Sequence, residues 1–140
     1  MVSYFSDDII STMEPWETIL IPVAADYKLV GLAERARYVY PIESALKSYG
    51  YGLYPDAFYA CGALVFIGRK SADALFETWS LRRAIRKLKF VCEHEQINTI
   101  AVQPFGGVQW PTIQEMLING LGPEFNINIY RRKKNYANSI

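Results

Sequence analysis

The chain has 140 residues, 51% of them hydrophobic, with ten tyrosines and a formal net charge of +1. That length suits one domain with a sizeable core, the composition excludes a disordered chain, and no apolar run approaches membrane-spanning length. The charge is uneven: residues 1–60 carry four basic and eight acidic side chains, a net of −4, which leaves +5 for the remainder.

Two cysteines, Cys61 and Cys92, cannot build a disulfide framework, so reduced thiols in a cytoplasm-like compartment are expected. The acidic start MVSYFSDDII lacks a signal-peptide pattern. Val2 to Phe5 reads as a first strand, and Ser6-Asp7-Asp8 turns the chain away from it. Asp8 or Ser11 is placed to cap a short helical turn. Thr18 to Val23, TILIPV, is nearly continuous and apolar, the pattern of a strand covered on both faces. Ala24 to Val30 is a loop. Gly31-Leu32-Ala33 starts a helix towards Tyr38, Tyr40-Pro41 breaks it, and Ile42 to Tyr49 resumes helical spacing.

Tyr49 to Tyr59, YGYGLYPDAFY, reads as a loop whose aromatic rings either cap the core or stack on a base. Ala63 to Ile67 is a third buried strand. Gly68 to Phe76 connects it to the longest helix, Trp79 to about Glu93, with Leu81, Ala84, Ile85, Leu88, Val91 and Cys92 as its apolar stripe. Arg82, Arg83, Arg86, Lys87 and Lys89 take the other positions. Such a face is either simply solvated or a contact for an acidic or nucleic-acid partner.

Residues Ile97 to Leu121 are the most informative stretch. Thr99 to Val102 is a short buried strand, and Pro104 ends it. Gly106-Gly107 gives a turn in which the backbone can take positive φ. Pro111 suits the first turn of a helix, and Ile113, Met116, Leu117 and Leu121 give that helix one apolar face. A strand feeding a helix through glycines directs backbone N–H groups and the positive helix end at one spot. This is either an anion site or a tight connection without a ligand. Asn126 to Tyr130 is the last strand, and the tail from Arg131 through Arg132-Lys133-Lys134 is basic and expected to be frayed. Repeated strand–loop–helix units imply an α/β sheet with helices on both faces and sites at the carboxyl ends of its strands.

The catalytic inventory is thin. His94, the one histidine, falls near a helix C-terminus, where a cation is favoured. Cys92 and His94 are two apart on a helix, so their side chains diverge. The sequence has no metal-ligand cluster, no P-loop and no G-x-S-x-G, and implies no cofactor. Asp7, Asp8 and Asp26 are the carboxylates nearest strand ends.

In order, the chain presents Asp-Asp-Ile, a strand ending in Ile-Pro-Val, a loop into Gly-Leu-Ala, an Arg-Tyr…Tyr-Pro segment, and later a strand, Gly-Gly-x-x-Trp, a helix and a strand. This resembles the macro domain family, especially its small single-domain bacterial and phage branch, over about residues 3 to 131. The resemblance implies a three-layer α/β/α sandwich with a mixed central sheet over residues 1–131, followed by a basic tail over 132–140. It also implies a cleft for ADP-ribose or a related nucleotide. By the same resemblance Asp8 falls where the family's Asp bonds the adenine amino group. Gly31, Leu32 and Ala33 match the end of the first diphosphate loop. Gly106, Gly107 and Trp110 match the second loop, with Phe105 and Val108 beside it. The departures are specific. Ala24 stands where the family has an Asn facing the distal ribose, the first loop lacks Met-Gly-Lys-Gly, and the second lacks its leading Gly-x-Gly. Asp26 is the remaining candidate for a catalytic group.

Two function classes follow. One is a binder of ADP-ribose or a related adenosine nucleotide with weak or no hydrolase activity. The other is a non-catalytic interaction or inhibitor protein on the same scaffold, acting through Arg82, Arg83, Arg86, Lys87, Lys89 and the tail on a protein or nucleic acid. Neither needs a membrane.

Overall fold

The computed structural model describes residues 1–49 and 54–131. Residues 50–53, within the Tyr-rich segment, and the basic tail 132–140 lie outside the described residues. Among those described, six strands form one sheet: β1 Val2–Phe5, β2 Thr18–Val23, β3 Asp56–Ala60, β4 Ala63–Ile67, β5 Thr99–Val102 and β6 Asn126–Tyr130. Their spatial order is β1-β6-β5-β2-β4-β3. All neighbours are parallel except β3, which pairs antiparallel with β4 at one edge. The helices are α1 Ile9–Thr12, α2 Leu32–Ala36, α3 Ile42–Tyr49, α4 Thr78–His94 and α5 Trp110–Leu121.

The near-continuous apolar runs work because successive strand residues point to opposite faces and both faces are covered. Leu20, Leu64, Phe66, Ile100, Val102, Ile127 and Ile129 face α4 and α5, where they meet Leu81, Ile85, Leu88, Ile113, Leu117 and Leu121. Ile19, Ile21, Ala63, Val65, Ile67 and Ala101 face the other way, onto Ile9, Leu32, Ala33, Ala36, Ile42 and Leu46 of α1 to α3. The result is a three-layer α/β/α sandwich with a mixed sheet. Each fully buried Leu, Ile or Phe contributes about 1.5–3 kcal/mol of burial free energy. Helices α4 and α5 approach closely at Gly120, where a Cβ would meet Ile85 Cγ2 at 2.5 Å.

Two expectations are corrected. Tyr49 to Tyr59 is not all loop, because Asp56–Ala60 is strand β3. Its Asp and two Ala residues have little intrinsic strand preference, and five paired positions with β4 override that. The intervening turn, Cys61-Gly62, has φ of 51° and 83°, the two positive values of a tight hairpin turn. The helix opened by Gly31 is also short, ending at Ala36 rather than running towards Tyr38.

Candidate functional site

In a parallel sheet the crevice opens at the carboxyl ends of strands, where consecutive connections leave to opposite sides. Here that point lies at central β2, flanked by β4 and β5. A cavity of about 180 Å³ opens there, lined by Val23 and Ala24 after β2, Arg69 after β4, and Gln103 to Gly106 after β5. Lys28, Val30, Gly31 and Leu32 close its other side, and Phe76 contributes an aromatic wall.

Glycine is required at two of these positions. Gly31 has φ 59° and ψ −128°, a region closed to side chains, so bare backbone faces the cavity. Gly106 has φ 83°, and a Cβ there would meet Ile113 Cδ1 at 2.5 Å. The wall behind it is aromatic and locked. Phe105 packs edge-on against Phe66 and Phe76, with centroids 5.9 and 5.6 Å away, and tilts against Trp110 at 5.5 Å. The Gln109 amide both accepts from Phe76 N at 3.0 Å and donates to Phe76 O at 2.9 Å.

The charged side chains of the lining have one sign. Lys28 and Arg69 line the cavity, and no carboxylate does among the described residues. Neither cation takes part in an ion pair among those residues. Arg69 Nη1 donates to Ala74 O at 3.2 Å, and its guanidinium lies 5.0 Å from the Phe76 ring centroid. Burial lowers the Arg69 pKa from its ordinary 12.5, against the pull of Asp26 and Asp73; the group still carries its charge at neutral pH. A half-buried guanidinium without a carboxylate partner is a standing attraction for an anion.

Asp8 sits at the edge of this region and not in the cavity lining. It caps α1, its Oδ2 accepting from Ser11 N at 3.1 Å and Ser11 Oγ at 3.0 Å. Its Oδ1 accepts from Arg35 Nη1 at 2.7 Å. The Arg35 hydrogen bond holds the Asp8 carboxyl below its ordinary 3.8. Arg35 Nη2 also donates to Gln103 Oε1 at 2.6 Å, so Arg35 joins Asp8 to the cavity wall.

Of the residues singled out from the sequence, Gly31, Leu32, Phe105 and Gly106 line the cavity together. Gly107 and Val108 lie beyond it, Val108 fully out in solvent. Asp26 is not in the lining. It clamps two loops, accepting from Lys28 N and Ala72 N, both at 3.1 Å. Ala24 is buried in the cavity wall. Cys92 is buried, which pushes its thiol up to about 12. No group of three or more His, Cys, Asp or Glu suited to a metal occurs among the described residues. On α4, Arg82, Arg83 and Arg86 are exposed, whereas Lys87 bonds Asp56 at 2.9 Å and Tyr49 OH at 3.3 Å. No described helix is long and apolar enough to cross a membrane.

Sequence reading passed over Lys28, Arg35, Arg69 and Gln103. Arg69 and Gln103 each fall within two residues of a strand's carboxyl end, and that position was the available signal.

No protein-family model matches the sequence, and a search of curated proteins gave no match. Solved structures do match. The macrodomain of Thermus aquaticus DarG is similar at 16% identity and a TM-score of 0.72, over 93% of this chain and 97% of that one. The macrodomain of Mycobacterium tuberculosis DarG is similar at 20% identity and a TM-score of 0.74, with the same coverage. Likeness at such identities speaks to fold, and with the sheet order and the three layers it leads to one conclusion: this chain has the macrodomain fold.

Proposed function

We propose that the chain binds ADP-ribose or a related adenosine nucleotide, with its diphosphate in the cavity between Gly31 and Gly106. The observation that carries this reading is the unpaired cationic lining, Lys28 and Arg69, at the switch point of a macrodomain sheet. The cavity, at about 180 Å³, is smaller than the roughly 300–1,000 Å³ of whole small-molecule sites. It therefore takes the phosphate-bearing part and leaves the adenosine on the open surface towards Asp8. An ionised carboxylate has about four acceptor positions. Three are occupied on Asp8, which leaves one on Oδ1 for an adenine amino group.

Hydrolysis should be weak or absent. A hydrolase holds a water against the scissile bond with an oriented base or amide. The cavity lining has no carboxylate, Ala24 offers no polar side chain, and Asp26 lies outside the lining, where each of its oxygens accepts from a backbone N–H group. Calorimetric titration with ADP-ribose, AMP and NAD tests the reading. Saturable binding of ADP-ribose, weakened in Asp8→Asn, supports it, and no heat with any of the three removes it. Robust release of ADP-ribose from modified protein, abolished by Asp26→Ala, would make Asp26 a catalytic residue.

A further inference from the structure

Gln103 lines the cavity, and which way round its amide sits is decided elsewhere. Arg35 Nη2 stands 2.6 Å from Gln103 Oε1. A guanidinium has five donors and no acceptor, so the atom facing Arg35 must be the amide oxygen. The amide cannot flip without setting N–H against N–H. Arg35 is itself fixed, because its other arm is on Asp8, and Asp8 is held by the backbone and hydroxyl of Ser11. A chain of charge-assisted contacts thus runs from α1 through Arg35 to the cavity wall. At its end Gln103 has Oε1 held by Arg35, and among the described residues its Nε2 has no hydrogen-bond partner, so its two N–H groups are what it has wholly free.

The polar side chains among the lining residues are Lys28, Arg69 and Gln103. The first two can only donate, and Gln103 has its N–H groups free while its oxygen is held by Arg35. From this geometry we infer that Gln103 is a specificity-determining residue, donating Nε2–H to a phosphoryl oxygen. Arg35 is the positioning residue that keeps the amide in that sense. The ligand group so selected is one rich in acceptors and without donors, a phosphate or diphosphate. This inference deepens the nucleotide reading above and rests on it for the adenosine part only. The phosphoryl part stands on the donor set.

The test uses inorganic pyrophosphate and ADP-ribose in parallel, titrated calorimetrically into the full chain and its variants. Gln103→Met keeps the length and removes the donor, and a lost hydrogen bond to a charged group predicts at least about a ten-fold weaker affinity for both ligands. Gln103→Glu keeps the acceptor for Arg35, so it should fold at least as well, and it should weaken both ligands further by facing them with an anion. Arg35→Met should release the amide: the Gln103 side-chain N–H resonances should lose their dispersion, with a loss of pyrophosphate affinity smaller than in Gln103→Met. Pyrophosphate binding that depends on Gln103 without any ADP-ribose binding would sustain this inference while removing the nucleotide reading. ADP-ribose binding that Gln103→Met leaves unchanged would do the reverse. Pyrophosphate affinity equal to wild type in both Gln103 variants overturns the inference.

Discussion

Two hollows flank the sheet, and they differ in one respect that matters more than size. The larger, about 420 Å³, lies beside β1 and β6 and is lined by Asp7, Glu14, Glu17 and three aromatic rings, Phe5, Trp16 and Tyr130. Its innermost charge is fully answered. Glu17 is 5% exposed and accepts from Glu14 N at 2.7 Å, from Tyr130 OH at 2.6 Å and from Asn128 Nδ2. Burial, and then that bond to Glu17, raises the Tyr130 pKa. The smaller hollow, at β2, β4 and β5, carries Lys28 and Arg69 without a carboxylate. A buried charge whose donors are all present holds the fold together; the half-buried Arg69 and the exposed Lys28, with no ion pair among the described residues, are free to meet an anion. On the proposed reading, satisfaction rather than charge or volume separates structure from site.

The sharpest way to break that comparison is Glu17→Ala. It strands the buried Tyr130 hydroxyl and removes a partner of the half-buried Asn128 amide, which together predict a loss of about 2–4 kcal/mol. Urea unfolding would measure it, with pyrophosphate affinity of the folded fraction unchanged. Loss of affinity with little loss of stability would mean the acidic hollow is the site.

Gly106→Ala comes next. It forces a side chain to φ 83° and against the Ile113 methyl, at a cost of about 1–3 kcal/mol. Because Gly106 belongs to the cavity, both stability and ligand affinity should fall. Arg69→Met should behave as the inverse of Glu17→Ala. Stability should stay within about 1 kcal/mol, because packing on Phe76 survives and only one backbone hydrogen bond is lost. Pyrophosphate affinity should fall about ten-fold. An equally large loss of stability would show that the guanidinium serves the fold.

The smallest effect concerns acid. The folded-state pKa of Asp8 is lowered, chiefly by Arg35, so the pair's contribution is present above the ordinary 3.8 and is lost as pH falls through the lowered value. The pair is partly exposed and screened. Comparing wild type with Asp8→Asn, the difference in melting temperature should shrink below pH 4 and be flat above it.

Much of the fold was legible because it depends on patterns local in sequence. Thr18–Val23, Ala63–Ile67, Thr99–Val102 and Asn126–Tyr130 are strands at the bounds their apolar runs imply. Strand β3 was not legible, because pairing with β4 and the Tyr49–Phe58 ring stack at 4.0 Å, rather than its own residues, make it a strand. The site divides the same way. Gly31 and Gly106 announce themselves, since conformational freedom is a property of the residue. Lys28, Arg69 and Gln103 are separated by tens of residues and meet only because β2, β4 and β5 run parallel side by side. Arg35 carries no mark in the local sequence. Its two partners, Asp8 and Gln103, lie 27 and 68 positions away, a separation no local pattern reports.

The most direct test of the account is the affinity of ADP-ribose for Lys28→Met/Arg69→Met, set beside wild type and measured by calorimetry at low salt. The account predicts saturable binding to the wild type and at least about a hundred-fold loss in the double variant, from two charge-assisted contacts removed together, with the unfolding midpoint little changed. Equal affinity in the two proteins would contradict it and move the nucleotide out of the cationic hollow.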